Sequence, residues 1–193
     1  MKTFKSHLKE TTLSRVFRHF QNKNIPVGII TAFRDELTYK QNVKRNKVLA
    51  GKIKKAGYGY VYVDGHWKEK DKDPKSSTYG ELVDVNEDSI LVIGSENDNG
   101  KLKGLLTKWV KEYNQDAALF KDEATTEIHF INQSGNTDPF AQKFSQKKLE
   151  VGYTKLRGRS KSVFSFDEER DGEGWLGRME RLIKERQKNN ASL

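Results

Sequence analysis

Three short apolar runs constrain this chain most. Residues 26–33 (PVGIITAF), 57–64 (GYGYVYVD) and 89–94 (SILVIG) are too short for buried helices and rich in β-branched or aromatic side chains, so each reads as a strand. Between and around them lie amphipathic stripes at helical spacing. Leu13, Val16, Phe17 and Phe20 follow Thr11 or Thr12 as a cap. Val43, Leu49 and Ile53 punctuate a lysine-rich stretch, 40–56, that ends at Gly57. Leu102, Leu105, Leu106, Trp109, Val110 and Tyr113 form the strongest stripe. Further strands are expected at 117–120 and 126–132, and a hairpin at 149–156 and 162–166. A last helix carries Trp175, Leu176, Met179, Leu182 and Ile183. Asp64-Gly65 reads as a hairpin turn, 68–80 and 95–100 as polar connections, and 133–138 as a loop. Helices alternate with strands to about residue 120 and strands dominate afterwards. The expected fold class is therefore α/β or α+β, a single mixed sheet with helices packed on it.

Composition narrows the function classes. The 36 Lys and Arg against 27 Asp and Glu give +9 at pH 7, which suits a polyanionic partner. Ten Phe, seven Tyr and three Trp supply a core, and the absence of cysteine excludes disulfides, thiolate metal sites and thiol catalysis. No apolar run is long enough to span a membrane, so no membrane partner is expected. Phosphate-binding glycine loops, nucleophile elbows and HExxH are all missing. His7, His19, His66 and His129 have no zinc-binding spacing, and the acidic clusters 71–73 and 167–171 read as solvated loops. No metal or cofactor is called for, and no catalytic residue can be assigned.

Two groups of residues invite a site. Thr31 ends a strand, Asn42 and Arg45 share a helical face, Ser89 opens a strand, and Gln115 and Asp116 precede another. Strand ends are where α/β sheets bind ligands, and Arg45 with these polar groups could hold a phosphate or carboxylate. The alternative is that they cap and cross-link, with Arg45 paired to Glu81 or Glu87. Lys44, Lys47, Lys54 and Lys55 on one helix, and Arg157, Arg159 and Lys161 near aromatic strands, are candidate nucleic-acid contacts. No base-reading module is visible, so contact with double-stranded DNA would be non-specific.

Four motifs in order carry a resemblance: Thr31-Ala32 at a strand end; Asn42-x-x-Arg45-Asn46-x-x-Leu49 with Gly57-Tyr58-Gly59-Tyr60 and Gly65-His66-Trp67-Lys68-Glu69; Glu87-Asp88-Ser89 leading through Val92 to Gly94; and Gln115-Asp116-Ala117. Over residues 27–132 the chain resembles a bacterial and phage domain family of unknown function, which usually has Asn-Pro where Phe33-Arg34 stand here. The first ten residues, MKTFKSHLKE, are similar to the capsid-targeting leader of T-even phage internal head proteins, whose prohead protease would cut at Leu8-Lys9-Glu10. That resemblance implies a cleavable leader (1–10), ahead of the globular α/β domain (11–166) and the amphipathic helix and polar tail (167–193) expected from the residues. It further implies a basic virion-internal protein, docked by the prohead scaffold, delivered with the genome to the host cytoplasm and acting on a host protein or defence. The competing expectation is an enzyme or ligand-binding domain acting on a nucleotide or phosphorylated small molecule.

Overall fold

A computed structural model describes residues 13–71, 74–141, 143–145, 152–157 and 163–167. The leader-like residues with Leu8 and Glu10, the expected C-terminal helix, and Arg159 and Lys161 lie outside the described residues.

Among the described residues, three helices and nine strands run in the order α1 (Leu13–Gln21), β1 (Val27–Ile30), α2 (Tyr39–Lys55), β2 (Gly59–Lys70), β3 (Leu82–Ile93), α3 (Lys101–Glu112), β4 (Ala117–Lys121), β5 (Ile128–Asn132), β6 (Thr137–Ala141), β7 (Lys143–Ser145), β8 (Gly152–Leu156) and β9 (Val163–Asp167). The strands form one sheet in the order β6-β5-β4-β1-β3-β2-β8-β9-β7. Helices packed on a single sheet are what the sequence led us to expect. Every described pairing is antiparallel, which puts the fold on the α+β side of that expectation.

Alternation along the central strands assigns the two faces. Ile30, Ile90, Val92 and Phe120 face α2 and α3, which cover them with Leu49, Ile53, Leu102, Leu106 and Trp109. Val27, Ile29, Val63, Leu91 and Leu156 face the other way, where Val16 and Phe20 of α1 pack with Phe164. α2 starts with a capping box in which the Thr38 side chain accepts from the Gln41 N–H while Gln41 Oε1 accepts from the Thr38 N–H.

One expected turn is absent. Asp64-Gly65 continues the strand, with Asp64 opposite Asp88 and Gly65 opposite Glu87. The chain reverses later, where the Gly80 N–H donates to the Asp71 carbonyl and Thr78 Oγ1 donates to Asp71 Oδ2 at 2.6 Å. A side-chain-braced turn in the charged stretch beats the Asp-Gly dipeptide because it lets twelve residues of β2 pair with β3. Residues 137–138, expected as loop, open β6 instead.

Lys121 is the largest buried charge outside the candidate sites. It is 1% exposed, and its Nζ donates to the carbonyls of Asn22, Asp122 and Thr125, tying the end of α1 to β4. Burial pulls its pKa from 10.5 down to about 8, against the opposing pull of Asp122 and Glu123. The folded protein therefore releases this proton before the unfolded chain does. The resulting gain in stability is absent below pH 8 and grows as pH rises from about 8 toward 10.5. His19 beside it, its pKa lowered by burial and by Arg15, Arg18 and Lys121, is neutral throughout that window. Thermal melts of wild type and Lys121→Met from pH 7 to 10 should show their Tm difference moving in favour of wild type by a few degrees; parallel curves would contradict this.

Candidate active site on the α2–α3 face

The inward stripe of α2 changes character along its length. Positions 42, 45, 46, 49, 50 and 53 share one face, but the first three are Asn, Arg and Asn, and only then come Leu49, Ala50 and Ile53. The polar half meets the end of β1, where ladder pairing stops. The last described pair of β1 with β3 is Ile30 with Ile90, so the carbonyl of Asp88 stands just past the end of its neighbouring strand. Two side chains take the place of that strand. Thr31 Oγ1 donates to the Asp88 carbonyl at 2.9 Å and Asn46 Nδ2 donates to the same oxygen at 2.6 Å. Asn46 Oδ1 also accepts from the Ala32 N–H at 2.7 Å.

The rest of the group holds the segment between β1 and α2. Asn42 accepts from the Arg34 N–H and donates to the Arg34 and Leu37 carbonyls. Arg45 donates to the carbonyls of Ala32 and Tyr113 and lies over the Tyr113 ring, rather than pairing with Glu81 or Glu87. Gln115 Nε2 donates to the Phe33 carbonyl at 2.8 Å. Thr31, Asn42, Arg45 and Gln115 thus gather around the segment between β1 and α2, and they hydrogen-bond there to main-chain groups. Asp116 is half-buried in the corner entering β4. Ser89 is buried on β3, but alternation sends it to the face opposite Asp88.

What this scaffold positions is a second cluster. On β2, Tyr60, Tyr62, Asp64 and His66 follow one another on the α2–α3 face, and on β3 Asp88 lies directly opposite Asp64. Tyr60 and Tyr62 meet edge to face, their centroids 5.7 Å apart. Arg157, just past β8, is aligned by its N–H donating to the Tyr62 carbonyl. Its guanidinium donates through Nε to Asp64 Oδ1 at 2.9 Å, pairs through Nη2 with Asp88 Oδ1 at 2.5 Å, and sits 5.4 Å from the Tyr62 ring centroid. Tyr39, at the start of α2 and packed edge-on against Phe33, donates its hydroxyl to Asp88 Oδ2 at 3.3 Å.

The electrostatics follow from these contacts. Burial opposes the Arg157 charge, but hydrogen bonds to Asp88 and Asp64 outweigh it and raise its pKa above the ordinary value. Burial, then Tyr60, push the Tyr62 phenol up, so it stays protonated at neutral pH. Two carboxylates face one guanidinium beside an aromatic face, and Lys155, directly opposite Asp64 on β8, brings a second basic group to the same face. Such a place suits an organic cation.

Arg157, a candidate nucleic-acid contact in the sequence, lies in this ion-pair cluster. Lys44, Lys47, Lys54 and Lys55 are exposed on α2. The sequence reading did not single out Tyr39, Tyr62 or Asp64 as site residues. Asp64 continues the Tyr58-Tyr60-Tyr62 alternation in phase, a signal hidden once Asp64-Gly65 was read as a turn.

Residues 28–176 match the S-Adenosylmethionine lyase family, a span that contains Tyr39, Tyr62, Asp64, Asp88 and Arg157. The chain belongs to the S-adenosylmethionine lyase family. No curated protein matches the sequence. Membership in the S-adenosylmethionine lyase family overturns the expectation of a virion-internal, DNA-associated protein of host takeover, because the family is named for chemistry on a small sulfonium compound and its match covers the body of the chain. Of the competing expectation, an enzyme or ligand-binding domain acting on a nucleotide or phosphorylated small molecule, it favours the coarser part, an enzyme acting on a small molecule. The four ordered motifs at 27–132 fall almost wholly inside the S-adenosylmethionine lyase match, whereas residues 1–10 fall outside it.

Proposed function

We propose that this chain cleaves S-adenosylmethionine, and that Tyr39, Tyr62, Asp64 and Asp88, the groups gathered around Arg157, bind it. The family match across these residues carries the reading. The chemistry of the cluster supports it. S-adenosylmethionine has a sulfonium, an ammonium and a carboxylate, so its cationic groups have Asp64 and Asp88 to meet. The sulfonium is poorly hydrated and soft, the type of cation that an aromatic face attracts.

A lyase breaks the carbon–sulfur bond without water or an oxidant. The bonding pair leaves with sulfur, and the departing group is a neutral thioether, which needs no acid. On the aminobutyryl arm two water-free routes complete the balance. The substrate's own carboxylate can attack the γ-carbon and close a five-membered lactone with no proton transfer. Alternatively, loss of a β-proton to a base leaves an alkene, and Asp64 or Asp88 would be that base. In the first route charge disappears in the transition state, so holding the arm folded over the sulfonium and excluding water are the protein's main contributions.

The test is direct. Purified full-length protein with S-adenosylmethionine should yield a thioether nucleoside and a four-carbon partner in equal amounts by liquid chromatography and mass spectrometry. Reaction in ¹⁸O-water separates lyase from hydrolase chemistry, since the primary product of a lyase carries no solvent oxygen. No turnover above the slow spontaneous decay would remove the proposal.

A further inference from the structure

The Arg157 guanidinium already shows how a cation is held in the cluster, between Asp64 and Asp88 and over the Tyr62 ring. We infer that the two carboxylates and the ring form a seat for an organic cation of the sulfonium or quaternary-ammonium class, and that Arg157 is the chain's own occupant of it, displaced when the ligand arrives. This rests on the lyase reading and deepens it, assigning the cation-recognising groups and a built-in competitor.

The two sides of the seat differ in rigidity. Asp64 and Asp88 are paired residues on the long β2–β3 ladder. The backbone of Asp88 is clamped by Thr31 and Asn46, and one of its carboxylate oxygens takes the Tyr39 hydroxyl. Arg157 instead reaches in on a long side chain from the end of β8, 41% exposed against 17% for Asp88. Its departure breaks no ladder bond of the sheet, because β8 pairs with β2 through residues 152–156.

Energetics also argue against a purely structural ion pair. Like charges directly opposite on neighbouring strands are unfavourable. A partly exposed arginine–carboxylate contact returns only about 0–1 kcal/mol. Lys155, directly opposite Asp64 on β8, offsets part of that repulsion, so the fold does not rely on Arg157 alone to hold the two aspartates together. A seat of two carboxylates that exchanges one cation for another accounts for the exposure of the arginine.

Full-length wild type, Arg157→Gln and Arg157→Lys can be titrated with trimethylsulfonium, following the amide shifts of residues 62–64 and 87–89 by NMR, with neutral dimethyl sulfide as control. Removing the resident cation should tighten trimethylsulfonium binding about fivefold, the equivalent of roughly 1 kcal/mol. Arg157→Lys should stay near wild type, and dimethyl sulfide should shift nothing. The KM for S-adenosylmethionine should fall in Arg157→Gln by a similar factor. Equal or weaker binding in Arg157→Gln overturns the inference, as does binding by Asp64→Asn/Asp88→Asn as strong as wild type. A protein that binds trimethylsulfonium by this pattern but leaves S-adenosylmethionine intact keeps the seat and loses the lyase reading. Turnover without tighter binding in Arg157→Gln does the reverse.

Discussion

Replacing Asn46 with leucine should lower the melting temperature by about 5–12 °C, the largest stability loss we expect from a polar substitution in this chain. Leucine keeps the branched side-chain skeleton and is the larger residue, so none of the effect comes from a cavity. Asn46 is 2% exposed and satisfies two main-chain groups, the N–H of fully buried Ala32 and the carbonyl of Asp88. Leucine would leave the Ala32 N–H buried without a partner, which costs roughly 1–3 kcal/mol beyond the lost bond itself. A total of about 2–4 kcal/mol corresponds to the stated shift, at roughly 2–4 °C per kcal/mol for a protein of this size. Thr31→Val should be milder, because the Asp88 carbonyl would keep Asn46. Combining the two strands that carbonyl as well, so the double variant should fall further than the sum of the singles. Differential scanning calorimetry of the four proteins decides this, and strictly additive losses would mean that the shared acceptor is not what couples them.

The same residues explain how much was legible beforehand. The α2 and α3 stripes could be located within a residue or two because each has one period and one buried face, whereas the β1 run was placed correctly at its start but ends at Ile30, three residues before the expected Phe33. The Asn42-x-x-Arg45-Asn46 group could also be recognised as special, since three polar residues occupy the face that Leu49 and Ile53 continue. Their partners could not be foreseen. Side-chain amides that bond to main-chain carbonyls far along the chain leave no pattern in spacing, and the Asn46–Asp88 contact spans forty-two residues. The β2–β3 hairpin failed differently. Asp-Gly is a strong local turn signal, but twelve paired residues on each strand outweigh one dipeptide, so the reversal moved to the charged stretch. That displacement concealed the carboxylate pair, because Asp64 faces Asp88 only if the strand runs through Gly65. β6 was missed because Pro139 and Asp138 are poor strand formers, tolerated here at the sheet edge.

Asp88→Asn should reduce kcat/KM for S-adenosylmethionine about 10–100-fold, and the division between KM and kcat says what the carboxylate does. The substitution keeps shape and the Tyr39 contact but removes one negative charge from the seat. At the effective dielectric of a partly exposed site, a charge about 5 Å from a cation is worth up to roughly 3 kcal/mol, which sets the upper end of that range. If the arm closes on itself, the sulfonium charge vanishes on the way to the transition state. Attraction to Asp88 then favours the bound substrate at least as much as the transition state, and its loss appears as a higher KM with kcat nearly unchanged. If Asp88 instead removes a β-proton, an amide cannot replace it and kcat collapses while KM hardly moves. The demethylated thioether, S-adenosylhomocysteine, provides the control. It has the same nucleoside and amino-acid arms without the sulfonium charge, so as a competitive inhibitor it should bind wild type and Asp88→Asn alike. An inhibition constant that rises with the KM would show that Asp88 holds another part of the molecule, and the sulfonium seat would have to be sought elsewhere on the sheet.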